Sequence, residues 1–134
     1  MSDRLKPEQR RKLMSSVKTK GTNIELIVRK HLFSKGFRFR LNKRDLPGAP
    51  DIVLKKYRSV IFVNGCFWHG HSCPKGLLPK TNYNFWKDKI EKNKKRDQQN
   101  ILDIRYLGWR VITVWECEIK SGIFKRNLTN FFEQ

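Results

Sequence analysis

The stretch DIVLKKYRSVIFVNGCFWHGHSC, residues 51–73, decides how this chain is read. Its first half runs DIVL, a polar KKYR turn and SVIFV, the pattern of an antiparallel β-pair whose second, nearly all-apolar member belongs deep in a sheet. Its second half begins where that strand ends. There two cysteines, two histidines and an adjacent Phe-Trp pair occupy ten positions, 64–73.

Downstream, YNFWKDKIEKNKKRDQQNILDIRYLG (83–108) is helix-like in composition, with Gly108 as its stop. At 100° per residue, Trp86, Ile90, Asn93, Asp97, Ile101 and Ile104 fall on one face, so two polar residues interrupt the inward stripe. WRVITVW (109–115) reads as another buried strand, and the order strand, long helix, strand implies a right-handed crossover with parallel pairing. GIFKRNLTNFFEQ (122–134) reads as a final amphipathic helix. Upstream, NKRDLPGAP (42–50) breaks structure, and FRFRL (37–41) alternates with the period of a strand. TNIELIVRKHLFSKG (22–36) carries Ile24, Ile27, Val28, His31 and Leu32 at helical spacing, with Thr22 and Glu25 placed as a capping box and Gly36 as the stop. KPEQRRKLMSSVKTK (6–20) reads as a short basic helix with Leu13, Met14 and Val17 on one side. Neither a repeat nor a linker interrupts the chain. It is therefore expected to form one three-layer α/β domain over residues 1–134 around a mixed sheet, residues 1–20 being a basic N-terminal arm.

Thirty Lys and Arg against twelve Asp and Glu leave a net charge of +18, the balance of a protein whose partner is a polyanion. Nucleic acid is the first candidate and an acidic membrane surface the second. No run approaches the roughly 20 apolar residues of a spanning helix. The start MSDRLKPEQRRK lacks the apolar core of a signal peptide, so a soluble cytoplasmic protein is expected. Aromatic residues at 12% and apolar residues at 38%, spread along the whole chain, place this charge on a folded domain. The three cysteines, Cys66, Cys73 and Cys117, would stay reduced in such a compartment, which leaves core thiols or metal ligands.

Cys66, His71 and Cys73 have C-x4-H-x-C spacing, and Cys117 comes from the end of the last strand. Thiolates and imidazole are the ligands that tetrahedral Zn²⁺ selects, and four of them close the shell of a structural site. Spacing alone also allows His69 in place of His71, or three core thiols with two surface histidines. A zinc here would tie the loop after SVIFV to the end of WRVITVW. Phe67 and Trp68 lie inside that loop. Projected outward they would suit wedging between base pairs, whereas turned inward they would cap the zinc or the core.

Carboxylates are few, and Asp51 begins a strand after LPGAP while Glu25 sits in the first turn of a helix. Hard oxygen ligands so placed could hold Mg²⁺ against a phosphodiester, which is nuclease chemistry. Glu25 reads equally as the N3 residue of its capping box, and Asp51 as a turn residue. His69 is an acid or base candidate near that site, and His31 a packed or surface histidine. Asp97 could orient a histidine, join the metal shell or pair with a cation. Asn93 and Lys89, on the same helix, are expected at the DNA, Asn93 towards a base edge.

With LPGAPD, VIFVNGCFWHGHSC, FWKDKIEKNKKRD and LGWRVITVWEC all present and in order, the chain closely resembles the very short patch repair endonucleases from about Met14 to Cys117. The resemblance implies a restriction-endonuclease-like fold, binding to thymine–guanine mismatches left by deamination of 5-methylcytosine, and nicking of the strand 5′ of the thymine. It implies that Asp51 and the backbone carbonyl of Val63 bind Mg²⁺, that Cys66, His71, Cys73 and Cys117 hold Zn²⁺, and that His69 is catalytic with Glu25 near the metal waters. Phe67, Trp68 and Trp86 match residues inserted beside the mismatch, and Met14 one that wedges from the other groove. Asn64 departs from the pattern, because the family often has a histidine there and an amide does not titrate near neutral pH. The implied partner is mismatched double-stranded DNA bound by a monomer, with general mismatch-repair proteins as candidate further partners. A non-catalytic zinc protein binding DNA or structured RNA, or a restriction endonuclease of the same fold cutting paired duplex, would use the same basic surface. Asp51 separates the enzymes from the binding module.

Overall fold

A computed structural model describes residues 23–41 and 44–133. Met14, Thr22 and the expected basic helix lie outside these residues. The first described helix, α1, spans Asn23–Ser34 and buries Glu25, Val28 and Leu32. Gly36, at φ 91°, ends it. The Gly36 amide donates to the Phe33 carbonyl and the Phe37 amide to the Leu32 carbonyl, at 3.0 and 3.1 Å. This paired closure requires the left-handed conformation that glycine adopts without strain.

Four strands follow, β1 (Arg40–Leu41), β2 (Ile52–Leu54), β3 (Ser59–Asn64) and β4 (Arg110–Trp115), in the sheet order β1-β2-β3-β4. β2 pairs antiparallel with both β1 and β3, and β3 pairs parallel with β4 over six residue pairs, from Ser59 opposite Arg110 to Asn64 opposite Trp115. The long helix α2 (Tyr83–Tyr106) connects β3 to β4, and α3 (Glu116–Ser121) and α4 (Phe124–Glu133) close the chain.

Strand alternation sorts the core into two layers. Ile52, Leu54, Ile61 and Val114 face Val28 and Leu32 of α1, Ile119 of α3, and Phe124 and Leu128 of α4. Val53 and Val60 face the other way, onto Ile104 of α2. A sheet covered on both faces explains why DIVL and SVIFV read as continuous apolar runs. The inward face expected of α2 is observed. Ile90 and Ile104 are buried, and Trp86, Asn93, Asp97 and Ile101 half-buried.

Three expectations need correction. The FRFRL strand is reduced to Arg40–Leu41, because Phe37 is taken into the helix closure and its ring packs on Tyr57 and Phe132 at 5.2 and 4.7 Å. β4 is not buried throughout, since it lies at the sheet edge and only Val114 is fully covered. The segment after it is helical earlier than expected. The Glu118 side chain accepts the Trp115 amide at 2.9 Å and starts α3 directly from the strand.

Candidate active site and metal centre

The register of β2 on β3, continued two residues past Ile52 opposite Ile61, sets Pro50 opposite Val63. Proline has no N–H, so the ladder cannot continue there. The Val63 amide donates instead to Asp51 Oδ2, at 2.7 Å. The Val63 carbonyl lies on the same edge of the strand, opposite a residue with nothing to donate. Sequence thus places one half-buried carboxylate and one strand carbonyl side by side. Burial pushes the Asp51 carboxyl above the usual carboxylate range, against the Val63 hydrogen bond and the attraction of His69 and Arg29. Such a carboxylate favours a cation beside it, and a carboxylate with a carbonyl is the hard-oxygen pair that Mg²⁺ takes.

His69 donates from Nδ1 to Asp97 Oδ2 at 2.5 Å. A carboxylate can only accept, so this contact sets the tautomer and leaves Nε2 as the atom able to move a proton. Asp97 therefore orients a histidine, one of the three roles open to it in the sequence. Glu25, 3% exposed, pairs with Arg29 one turn along α1. Asn64 ends β3 and is 8% exposed.

Cys66, His71, Cys73 and Cys117 bring their ligand atoms within 4.8 Å of one another. His71 Nδ1 lies 3.6 Å from Cys117 Sγ, close to the edge of a tetrahedron with bonds of about 2.0–2.3 Å. Three sulfurs and one imidazole in this geometry fit Zn²⁺, and they choose His71 over His69 as the fourth ligand. Burial pushes the Cys66 thiol up to about 12. At Cys73 burial also raises the pKa, but hydrogen bonds from His71 and Cys66 outweigh it and bring the thiol down to about 6. The loop is built locally, with the His71 amide donating to the Cys66 carbonyl at 2.9 Å and the His69 amide to that of Gly65 at 3.3 Å. Gly70, at φ 63°, seats it on α2, where a Cβ would lie 2.7 Å from Ile90 Cγ2.

Phe67, Trp68 and Trp86 form one edge-to-face cluster with centroids 5.2–5.7 Å apart. None of the three belongs to either core layer, and Trp68 is 49% exposed. Of the wedge candidates Trp68 faces outward, with Phe67 and Trp86 half-buried beside it. Lys89 sits over the Trp68 ring at 5.9 Å. The Asn93 amide donates to the Trp68 carbonyl at 2.9 Å and its oxygen accepts from Arg96, so in this structure Asn93 braces the aromatic loop.

Four residues of the site were not singled out in the sequence. Phe85 is 59% exposed and extends the aromatic cluster through Trp86. Trp115 stacks on His71 at 4.1 Å. Glu116 accepts the Cys66 amide at 3.4 Å and pairs with Lys120. Arg29 joins α1 to Asp51 electrostatically. Phe85 and Glu116 each adjoin a motif residue, a signal that was available. Arg29 and Trp115 gain their places only through tertiary contacts.

A mixed α/β sheet with Asp51 at a strand start, a braced histidine and a basic, aromatic surface defines the class as a DNA endonuclease with a restriction-endonuclease-like core. The family model described as DNA mismatch endonuclease Vsr matches residues 2–75. The type II nicking enzyme V.XorIIP of Xanthomonas oryzae pv. oryzae is 49% identical, covering 99% of this chain and 98% of that protein. V.NmeAIP of Neisseria meningitidis, also a type II nicking enzyme, is 46% identical over 97% of this chain and 93% of its own length. The DNA mismatch endonuclease Vsr of Escherichia coli is 44% identical over 84% of this chain and 72% of its own length. The chain belongs to the DNA mismatch endonuclease Vsr family.

Proposed function

We propose that this protein nicks duplex DNA 5′ of the thymine in thymine–guanine mismatches, the product of 5-methylcytosine deamination, with one catalytic Mg²⁺ and one structural Zn²⁺. The observation that carries this reading is a single loop, residues 64–73, that presents half-buried Phe67 and exposed Trp68 at one end and His69, fixed by Asp97, beside Asp51. Recognition and chemistry are joined by a few residues of backbone.

Phe67 and Trp68, with Trp86 behind them, enter the stack at the mismatch, where weak stacking lowers the cost of distortion. Met14 approaches from the other groove, and Lys89 and Asn93 hold the strand beside the wedge. Asp51 and the Val63 carbonyl would hold Mg²⁺, which when bound would supply neutralisation of charge building on the scissile phosphate. His69 gives or takes a proton at Nε2, and Glu25 orders solvent at the metal. Asn64 replaces a histidine of the family without removing activity, because His69 already has an acceptor that fixes its tautomer. The enzyme works as a monomer in the cytoplasm. Among the described residues no helix is long and apolar enough to cross a membrane.

Nicking of a labelled thymine–guanine duplex by the wild type and by Asp51→Ala tests the reading. The wild type is expected to cut once, 5′ of the thymine, and only with divalent cation. Asp51→Ala is expected to bind the duplex without cutting. A wild type that never cuts with Mg²⁺ or Mn²⁺ would leave a binding module instead.

A further inference from the structure

The cation beside Asp51 has no part in the roles assigned above. Arg29 lies one turn after Glu25 on α1, and Glu25 accepts from one end of its guanidinium. Arg29 and Asp51 are each within electrostatic reach of the other. The Arg29 Nε is buried and has no hydrogen-bond partner among the described residues. A guanidinium carries five N–H donors and no acceptor, and a donor buried without a partner forfeits its hydration with nothing in return. A native fold tolerates such a donor where a ligand completes it. The acids around it explain why a cation is there. They do not explain a fork with an unused donor.

We infer that Arg29 is a phosphate-binding residue of the active site, its guanidinium taking the non-bridging oxygens of the DNA phosphate that enters beside Asp51. Phosphodiester oxygens accept two parallel N–H bonds from one guanidinium, a geometry lysine cannot supply. The Glu25 contact holds the fork in place before DNA arrives, so little side-chain freedom is lost on binding. During in-line attack the same fork would neutralise charge on those oxygens. This rests on the proposed function for its substrate, but its test needs neither metal nor cleavage.

Binding of a thymine–guanine duplex is measured in EDTA, with a neutral methylphosphonate placed in turn at each phosphate within two steps of the thymine. At one position the wild type should bind about tenfold more weakly than to the unmodified duplex, a charge-assisted bond of about 1.4 kcal/mol. Arg29→Met should show no penalty at that position while keeping the penalties elsewhere. Arg29→Lys retains the ion pair to Glu25 and guards against loss of folding, and it should show an intermediate penalty. Wild-type penalties below about twofold everywhere, or equal penalties in wild type and both variants, would overturn the inference and reduce Arg29 to a counter-ion of Glu25. Failure of cleavage by the wild type would strike the proposed function and leave this comparison standing.

Discussion

Asp51 pays a folding cost for its position. Its carboxyl is held above the usual range by burial, so the charged form is disfavoured in the metal-free fold. A raised folded pKa means that the native state binds the proton more tightly than the unfolded chain. Stability is then lost as pH rises from about 3.8, the ordinary value, through the folded pKa, and the cost is fully present above the folded pKa. Asp51→Asn keeps an acceptor for the Val63 amide and is expected to raise the Tm in EDTA at pH values above the folded pKa of Asp51. The gain should vanish towards pH 3.8, and added Mg²⁺ should raise the Tm of the wild type only. Calorimetry checks all three. At His69 the tautomer is the sensitive quantity, since Asp97 accepts its Nδ1–H. Asp97→Asn should lower kcat roughly 100-fold with KM little changed, measured by single-turnover nicking. Asn64→His should change the rate by less than about tenfold. A silent wild type rescued by that substitution would show that the buried amide at the end of β3 disables the site.

Two elements, the loop after β3 and the helix α2, carry separable duties. The loop carries Cys66, His71 and Cys73, and a metal they share with Cys117 would bolt it to the first turn of α3. Metal-binding free energy in such a site is folding free energy. Stripping Zn²⁺ with a strong chelator should therefore lower the Tm by about 10 °C or more, at about 3 °C per kcal/mol for this size. The shift should persist in Asp51→Asn, which separates zinc from the other cation site, and zinc release can be read with a chromogenic dye. Trp68 stands half outside the fold, with no place in either core layer. Trp68→Ala should leave the Tm within about 2 °C. Mismatch affinity should fall by roughly 5–150-fold, the worth of one aromatic stacked on a base, by fluorescence anisotropy. Equal losses on paired and mismatched duplexes would deny it the wedge.

The net charge of +18 belongs to the whole molecule and acts through the phosphate backbone. Each phosphate neutralised contributes about −0.9 to the slope of log affinity against log salt. With six or more contacts, affinity for any duplex should fall at least about a thousandfold between 50 and 200 mM salt. The ratio of mismatched to paired affinity should change little, because the aromatic wedge carries no charge. Parallel salt titrations on the two duplexes check this. A preference that vanished with salt would mean that discrimination is electrostatic.

What was legible in the sequence was whatever local pattern dictates. The apolar runs of β2 and β3, the inward stripe of α2, the ligand spacing around Cys66 and the placing of Asp51 after Pro50 follow from periodicity, turn chemistry and ligand preference, which act over a few residues. Burial of β4, the length of β1 and the start of α3 were not legible, because each depends on which neighbour covers the chain. The site divides the same way. Cys66, His71 and Cys73 were readable from their spacing, but the choice of His71 over His69 was made by a 3.6 Å approach to Cys117, 46 residues away. That choice in turn freed His69 for Asp97, 28 residues on along the chain, and the Val63 amide was left for Asp51 because the sheet register sets a proline opposite it. Sequence supplied the donors and acids. Only the packing of the loop against α2 and β4 decided which of them meet, because contacts between residues so far apart are set by how the layers close and not by local preference.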